Sequence, residues 1–465
     1  MKNTILILAA LGFVQSAFAI SVDWTGGYRI EYTDIDRPSL SEPGGKKNYA
    51  TNYLYLAPKI IASDGINIVG RFDIMGSEMP EYKNSQLGMF LGGGVGGKTG
   101  INANTQTSDA TNLRVSQLYL NIQHEYGELV AGRTPIQFGM GITHNAGLGQ
   151  FDHWLDSRDL ILYRFKVDNL YFMPIFAKIK QSSFEVGRTV SENSFVMEYD
   201  NKDIGAKTGV FYATRSSSDQ SNDALLAGAA IPGAVSTVGG VNLKTVNIFL
   251  ERKWPAFEIR LEGSFLTGTT GLATASNAEI TVDSYAVVSE LLFPAIEESK
   301  LEWGAKLGAV SGDDPSTTKY EGYQLDQNYD VAMLLFNHRM GSADFLTTGI
   351  TRAGSTTTIA NSADEEAIGN ALFFSPHVKY AWDDKLDIKS SLTYAMLMAN
   401  PGNYTDFKKD LGTEVDFELI YKPRERVTWS TGLGFLAPGN AWKAGTNNFD
   451  NKSNWGFSTK AAITF

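Results

Sequence analysis

Residues 454–465, NWGFSTKAAITF, are the stretch that decides the fold class of this chain. Large and apolar side chains alternate here with small and polar ones. A period of two places the two sets on opposite faces of a β-strand. The stretch has the length of a tilted strand that crosses a bilayer, which is about 9–11 residues, and it ends on an aromatic residue, Phe465. An amphipathic helix has a different period, so the pattern predicts a strand with one lipid-facing side.

The same alternation recurs along most of the chain, from Val22 onwards. Closing such strands into a barrel satisfies every backbone N–H and C=O group, which lipid cannot do. We therefore predict an all-β protein, a transmembrane antiparallel up-and-down β-barrel of about 18 strands over residues 20–465, with about 16 strands as the alternative. The predicted strands lie near 22–34, 49–62, 66–78, 112–124, 128–135, 158–167, 170–181, 193–201, 204–215, 241–253, 256–267, 282–293, 300–311, 369–381, 385–398, 410–421, 426–437 and 454–465.

The connections between these strands alternate in length. Short turns, such as Ser63-Asp64-Gly65, alternate with long loops, as expected for periplasmic turns and extracellular loops. In the loop 312–368 the run from Asp330 to Phe336 is too apolar for a solvated loop, and loops of this length are usually functional or folded back. The loop 136–157 is rich in glycine, and its sequence leaves open whether it folds into the barrel or caps it from outside.

The N-terminus carries the features of a secretory signal. Lys2 provides the positive charge, Ile5–Val14 is a short apolar run, and Ala17-Phe18-Ala19 is a small-x-small cleavage site. We predict that residues 1–19 are a signal peptide and that the mature barrel lies in a bacterial outer membrane. Aromatic residues near the predicted strand ends would form the interfacial girdles of such a barrel: Trp24, Tyr32, Trp382, Tyr421, Trp429, Trp455 and Phe465.

Composition and motifs argue against several classes of function. The chain has no cysteine, and its formal charge of −11 argues against a general nucleic-acid surface. Its histidines form no HExxH pair, and no GxSxG nucleophile motif is present. His144 and His153 could bind a metal with Asp152 and Asp156, but a polar loop is the simpler interpretation. We therefore predict no cofactor, no metal site and no enzymatic activity.

Charged residues with the parity of the lumen face suggest a selective pore. The predicted lumen residues are Arg133, Arg164, Lys166, Lys178, Lys180, Glu414, Asp416, Glu418, Arg29 and Glu31. In a barrel of about 18 strands the seventh strand lies opposite the sixteenth, so Lys178 would face Asp416 and a basic wall would face an acidic one. The resulting field would orient charged solutes. The alternative is that lumen charges pair with neighbours, as Arg29 could with Glu31.

Several short motifs resemble the alginate-export type of outer-membrane porin. They are the Gly132-Arg133-Thr134-Pro135 step with Phe151-Asp152-His153-Trp154, then Ser311-Gly312-Asp313-Asp314-Pro315, Leu411-Gly412-Thr413-Glu414-Val415-Asp416-Phe417, Gly432-Leu433-Gly434-Phe435 and Pro438-Gly439. The resemblance implies a monomeric barrel of about 18 strands, with a charged constriction that passes sugars or anionic polysaccharide. By residue it implies Arg133 and Asp416 as lumen groups.

Together these features predict a porin for passive diffusion of small hydrophilic solutes, such as saccharides or anions. The alternative is a non-conducting outer-membrane surface protein whose loops bind a partner. A membrane-embedded hydrolase is a third, weaker hypothesis. The expected partners are the lipid bilayer and lipopolysaccharide, the small solutes, and the barrel-assembly machinery, which would recognise the C-terminal Phe465; no nucleic acid is expected.

Overall fold

The computed structural model describes residues 21–38, 40, 45–74, 89–90, 113–181, 189–217, 236–295, 299–338, 340, 367–400, 405–443 and 451–465. The predicted signal peptide, residues 1–19, lies outside the described residues, and its cleavage remains a prediction.

The described residues form a closed antiparallel barrel of 18 long strands, as the sequence predicts. The strands are β1 Ser21–Asp36, β2 Lys46–Ser63, β3 Ile66–Ile74, β4 Leu113–His124, β5 Gly127–Pro135, β6 Ser157–Val167, β7 Leu170–Gln181, β8 Thr189–Asn201, β9 Ala206–Ser217, β10 Asn242–Lys253, β11 Glu258–Ala273, β12 Glu279–Phe293, β13 Leu301–Val310, β14 Ala371–Ala381, β15 Leu386–Leu397, β16 Asp410–Arg424, β17 Val427–Pro438 and β18 Asn454–Thr464. Short strand pieces at Met89–Phe90, Ser236–Thr237 and Lys319–Tyr320 and a 3-10 helix at Asn440–Lys443 lie in the connections.

The barrel closes between its first and last strands. Each strand pairs with the next along the chain, and β1 pairs antiparallel with β18 from Gly27 opposite Thr464 to Ile35 opposite Gly456. The ladder continues to the terminal residue, because the N–H of Gly26 donates to the carbonyl of Phe465 at 2.8 Å. No edge of the sheet is left unpaired at this seam, which is the condition for a sheet in lipid.

Tight turns connect the strands at one end of the barrel. Gly65 (φ 74°) and Asp168 (φ 52°) adopt the left-handed conformation that two-residue hairpin turns require. The other end carries the longer connections. One connection at this end, residues 274–278 between β11 and β12, is short. We refer to these as the turn end and the loop end.

The outer surface is apolar, as expected of a face in contact with lipid. The predicted girdle residues Trp24, Trp382, Tyr421, Trp429 and Phe465 are 57%, 61%, 43%, 54% and 48% exposed. Tyr32 and Trp455 are partly buried. None of the helices among the described residues is long and apolar enough to cross a membrane.

Adjacent residues on β15 provide a test of the two faces. Leu392 is 46% exposed on the outer face, whereas Ser391 faces the lumen beside Asp416. We expect Leu392→Arg to lower the free energy of unfolding by about 2–4 kcal/mol, because the charge enters hydrocarbon. Ser391→Arg should cost much less, because its guanidinium can pair with Asp416. Urea unfolding in lipid vesicles, followed by tryptophan fluorescence, measures both; equal costs would contradict the assigned faces.

Candidate functional site

Two connections from the loop end fold into the barrel and fill part of its lumen. The first inward segment comprises residues 136–156, between β5 and β6. The second inward segment comprises residues 321–338 and 340, between β13 and β14. Their apolar side chains pack against the inner wall, so the hydrophobic core of this barrel lies inside the lumen around these segments.

The first inward segment packs on the inner face of β6–β10. Ile136 and Phe138 are 7% and 2% exposed, and the ring centroids of Phe138 and Phe211 are 5.7 Å apart. The wall residues in this cluster are Leu160, Met173, Ile175, Ala177, Val196, Phe211, Ala213 and Phe249. An apolar inner wall would be poorly solvated if this segment left it. Of the two possibilities that the sequence leaves open, the structure has the segment folded inward.

The second inward segment shows where the run from Asp330 to Phe336, too apolar for a solvated loop, is buried. Leu334 and Leu335 are fully buried, and Phe336 is 3% exposed. The wall residues in this cluster include Ile35, Ala286, Val288, Val310, Ala371, Phe373, Ala395, Leu397, Leu411 and Leu436. Contact between the apolar side chains of the segment and those of the wall removes both from water. The hydrophobic effect therefore stabilises the segment inside the lumen.

Polar side chains of the barrel wall fix the backbone of the second inward segment. The buried carboxylate of Glu414 accepts the N–H groups of Leu334 at 2.6 Å and Leu335 at 2.8 Å. The hydroxyls of Ser375 and Thr393 both donate to the carbonyl of Val331, at 3.1 and 3.0 Å. Either buried N–H group would cost free energy if it were left without this acceptor. Glu414 is therefore an anchor of this segment.

Glycines on β17 and β18 make room for the same segment. A Cβ atom at Gly456 would lie 2.6 Å from Leu334 Cδ2, and one at Gly434 would lie 3.1 Å from Met333 Sδ. These glycines alternate with outward aromatic and aliphatic residues such as Phe435. The two glycines of the Gly432-Leu433-Gly434-Phe435 motif thus leave space on the inner face of β17 for Met333, and Gly456 on β18 leaves space for Leu334.

The two inward segments bind each other across the lumen. The side-chain oxygen of Asn328 accepts the N–H groups of His153 and Trp154, both at 3.1 Å, and its amide donates to the carbonyl of Trp154 at 2.9 Å. The N–H of Asp326 donates to the carbonyl of Ile142 at 2.8 Å. The segments therefore form one body that narrows the pore.

The wall also holds the first inward segment with charged groups. Glu262 on β11 accepts the N–H of Met140 at 2.6 Å. On β1, the carboxylate of Glu31 bonds Nε2 of His153 at 2.9 Å and Nε of Arg29 at 2.8 Å, and Arg29 donates to the carbonyl of Asp152. Arg29 and Glu31 face the lumen, and they attach the first inward segment to the wall.

The prediction that Arg133 and Lys178 line the lumen is wrong. Arg133 on β5 is paired in register with Leu118, which is 54% exposed, and with Asp159, whose carboxylate it binds at 2.8 Å. Lys178 on β7 is paired with Asp159 from the other side. Residues opposite each other share a face, so all three charges point outwards.

The parity of β7 was misread for a physical reason. Its inward residues Met173, Ile175 and Ala177 are apolar because they pack on the first inward segment, and its outward Phe176 is apolar because it faces lipid. With two apolar faces, the strand shows no contrast from which to read the inward side.

Two of the other predicted basic residues, Arg164 and Lys166, face inward near the turn end. Arg164 is 45% exposed, approaches Glu128 at 3.4 Å and lies over the ring of Tyr171. Lys166 lies 5.5 Å from the centre of the same ring. The side chain of Lys180 lies outside the described residues.

The acidic residues of β16 face inward, but they do not form an open acidic wall. Glu414 is buried by its anchoring role, and Asp416 is 9% exposed and accepts a hydrogen bond from Ser391. Glu418 accepts the hydroxyl of Ser430 at 2.6 Å and lies 3.7 Å from Lys389. With Lys178 outside, the idea of facing basic and acidic walls is wrong.

Lumen charges instead pair with near neighbours, on the same strand or on the adjacent one, which is the alternative weighed from the sequence. Arg71 binds Asp73 at 2.9 Å, and Lys379 binds Glu302 at 2.9 Å. Such pairs keep the wall hydrated without a strong field across the pore.

A polar cavity of about 280 Å³ remains between the second inward segment and the wall. Charged side chains of both signs line it: Glu31, Lys306, Asp330, Lys389, Asp416, Glu418 and Lys460. Lys389 and Lys460 were missed although their inward parity is readable in β15 and β18. The contact between Asn328 and His153 carries no signal in the sequence, because it depends on how the two segments meet.

His144 is a structural residue of the first inward segment. Its ring centroid lies 4.4 Å from that of Phe211. Burial lowers the pKa of His144 well below its usual range, with Arg158 and Arg215 lowering it further, so the ring is neutral. Among the described residues, no group of three or more histidine, aspartate or glutamate side chains is arranged to hold a metal ion.

Comparison with solved structures finds the same fold in outer-membrane porins. OccAB3 of Acinetobacter baumannii is 10% identical, with 96% of this chain and 99% of that chain covered and a TM-score of 0.51. OccK5 (OpdH) of Pseudomonas aeruginosa is 9% identical, with 96% and 98% covered and a TM-score of 0.50. A BenF-like porin from Pseudomonas fluorescens Pf-5 is 11% identical, with 96% and 98% covered and a TM-score of 0.50. At these identities the similarity shows the fold alone. No protein-family model and no curated protein matches the chain.

The role of Glu414 as an anchor leads to a prediction. Glu414→Ala removes the acceptor of two buried N–H groups, which costs about 1–3 kcal/mol for each unsatisfied group. We expect the second inward segment to leave the wall part of the time. In planar bilayers the variant should show larger and noisier single-channel currents than the unmodified protein.

Glu418→Ala is the matched control, because Glu418 lies two positions further along β16 and binds only wall residues among its described partners. It should leave the current noise unchanged. Equal noise in the two variants would argue against Glu414 as the anchor.

Proposed function

We propose that this chain is an outer-membrane porin through which small hydrophilic solutes diffuse passively. The observation that carries the proposal is the closed barrel with an apolar exterior and with a lumen that two inward segments narrow and that keeps a polar cavity. An apolar outer band fits lipid, and a hydrated lumen fits water-soluble solutes. The shared fold with solved outer-membrane porins supports both the location and the channel function.

The geometry of the passage favours solutes of modest size. The polar cavity of about 280 Å³ offers room comparable to that of a small organic solute. Hydroxyl groups of Thr51, Ser430 and Ser458 line it together with the charges of both signs. This mixture suits hydrated saccharides and small ions, and it supplies no single dominant charge. The expected partners are therefore the membrane lipids and these solutes.

The finer resemblance to alginate-export porins is part of the proposal and is supported by the short motifs alone. Of the two residues that this resemblance marks, Asp416 lines the passage and Arg133 does not. A long anionic polysaccharide would have to pass between the joined inward segments. We therefore favour small solutes over polysaccharide as the cargo, and we propose a channel without catalytic activity. Recognition of Phe465 by the barrel-assembly machinery remains a prediction.

Conductance measurements test the channel proposal directly. The purified protein, added to a planar bilayer, should produce stepwise increases in ion current. Silent bilayers, obtained with protein whose folded state is confirmed by circular dichroism, would instead favour the non-conducting surface protein. A liposome swelling series with sugars of increasing size would then define the solute limit.

Charge reversal at the pore tests which face each basic residue occupies. Arg164→Glu changes an inward charge by two units near the turn end. We expect the ratio of cation to anion permeability to rise by about twofold or more, since lumen charges set ion preference. Lys178→Glu makes the same change on the outer face and should leave the ratio unchanged. Reversal potentials in a salt gradient report both; a shift with Lys178→Glu alone would overturn the assignment.

A further inference from the structure

A second cavity, of about 190 Å³, lies between the first inward segment and the barrel wall. Residues of β18, β1, β2, β3 and β4 form its wall, and residues 147–150 and Asp152 of the segment cover it. We call it the side cavity. Its wall residues Thr25 and Thr464 lie close to the turn end. The side cavity is therefore on the turn-end side of the segment, and none of its described lining residues lines the polar cavity discussed above.

The side chain of Gln117 faces the side cavity with an unpaired hydrogen-bond donor. Gln117 is 7% exposed, and its amide nitrogen Nε2 has no hydrogen-bond partner among the described residues. A buried polar group that lacks a partner lowers the stability of a protein. A hydrogen-bond acceptor of a solute in the cavity would supply the missing partner.

Arg71 lies beside Gln117 and is held in place by its own contacts. The two residues are opposite each other in the ladder between β3 and β4. Arg71 donates from Nε to Asp73 at 2.9 Å and from Nη2 to the hydroxyl of Tyr53 at 2.7 Å, and this hydroxyl donates to Asp73. The guanidinium carbon lies 4.2 Å from the ring centre of Tyr55. The wall of the side cavity is therefore ordered before a solute enters, which lowers the entropic cost of binding.

Two tyrosine rings give the side cavity an apolar surface. Tyr53 and Tyr55 both line it, and their ring centroids are 5.9 Å apart. Gly27 on β1 is opposite Tyr55, and a Cβ atom there would lie 2.6 Å from Tyr55 Cε1. The glycine therefore makes room for the ring. Aromatic rings that carry a polar group suit ligands with both an apolar face and polar groups.

The charged groups around the side cavity compensate one another. Arg71 is paired with Asp73, and Nε of Arg29 lies 2.8 Å from the carboxylate of Glu31. Asp152 on the segment adds a third carboxylate. Two cations beside three carboxylates leave no excess of positive charge for an anionic solute. The side cavity therefore favours a neutral solute whose groups both accept and donate hydrogen bonds.

We propose that the side cavity binds one ring of a neutral saccharide during its passage through the channel. One sugar hydroxyl accepts the hydrogen bond from Gln117, and another donates to Asp152. A hydroxyl can do both, which the two sides of the cavity require. The C–H face of the ring packs on Tyr53 and Tyr55. This inference rests on the proposed channel function and names the class of solute.

Substitution of Gln117 tests the proposal. Gln117→Met removes the donor and keeps a side chain of similar length. In planar bilayers, glucose should reduce the current of the unmodified channel in a saturable way, whereas an effect of viscosity would not saturate. Gln117→Met should raise the half-saturating glucose concentration by about fivefold, the effect of one neutral hydrogen bond. An unchanged concentration would overturn the proposal and would indicate that ordered water alone satisfies the amide.

The stability of the same variant separates a binding role from a structural one. If Gln117 held the fold together, its replacement would lower the urea concentration at the midpoint of unfolding. Because the amide is unpaired, Gln117→Met should leave this midpoint unchanged or raise it. Gln123→Met makes the same substitution on β4 outside the side cavity and should leave glucose binding unchanged. A lower midpoint for Gln117→Met, or weaker binding in both variants, would contradict the proposed site.

Sugars of different charge test the class of solute. Glucose should bind more tightly than glucuronate, whose carboxylate finds no excess of positive charge in the side cavity. Tighter binding of glucuronate or of glucosamine would overturn the assignment to neutral saccharides. Saturation-transfer NMR of the folded barrel in detergent measures binding without conduction. Silent bilayers with glucose binding intact would reject only the channel function, and stepwise conductance without saturable glucose binding would reject only this site.

Discussion

Backbone hydrogen bonding in a medium without water is the constraint on which this structure depends. A strand in hydrocarbon must find a partner for every N–H and C=O group, and only a closed sheet provides one on both sides. Here the seam between β1 and β18 meets that condition, with the ladder extended to Gly26 and Phe465. Since closure fixes the order and direction of all strands, it also fixes which side chains can reach the lumen.

Apolar residues are distributed differently in this barrel than in a soluble protein. Exposed apolar residues cover the outside, and the buried apolar clusters lie within, around two connections that return from the loop end. These segments need polar anchors as well as apolar contacts. Glu414, Glu262 and Glu31 each accept hydrogen bonds from an inward segment. A carboxylate in the lumen wall can therefore serve to position a constriction rather than to attract a solute.

This distinction changes how charged residues of a barrel strand should be interpreted. The position of a residue in the alternating pattern indicates which face of the strand it occupies. The group that the residue contacts then decides its role. Glu414 and Glu418 share a strand and a face, yet one is buried under the second inward segment and the other lines the passage. Arg133 and Lys178 lie on the outer face of the barrel, where they cannot meet a permeating solute.

The sequence by itself determined the closed barrel, its 18 strands and the alternation of turns and loops. These depend on a period of two and on strand length, which are local properties readable in stretches such as 454–465. It also indicated that the run from Asp330 to Phe336 is buried, because seven largely apolar residues do not remain in water. The inward side of β16 followed from its outward aromatic and aliphatic residues, including Phe417 and Tyr421.

Only the tertiary structure decided where the pore narrows and which charges line it. Asn328 meets His153 and Trp154 across a separation of about 175 residues, a contact that no local pattern specifies. The faces of β7 were hidden because the first inward segment makes its inner side as apolar as its outer side. Periodicity reports the contrast between two environments, so it fails where packing inside the lumen removes that contrast.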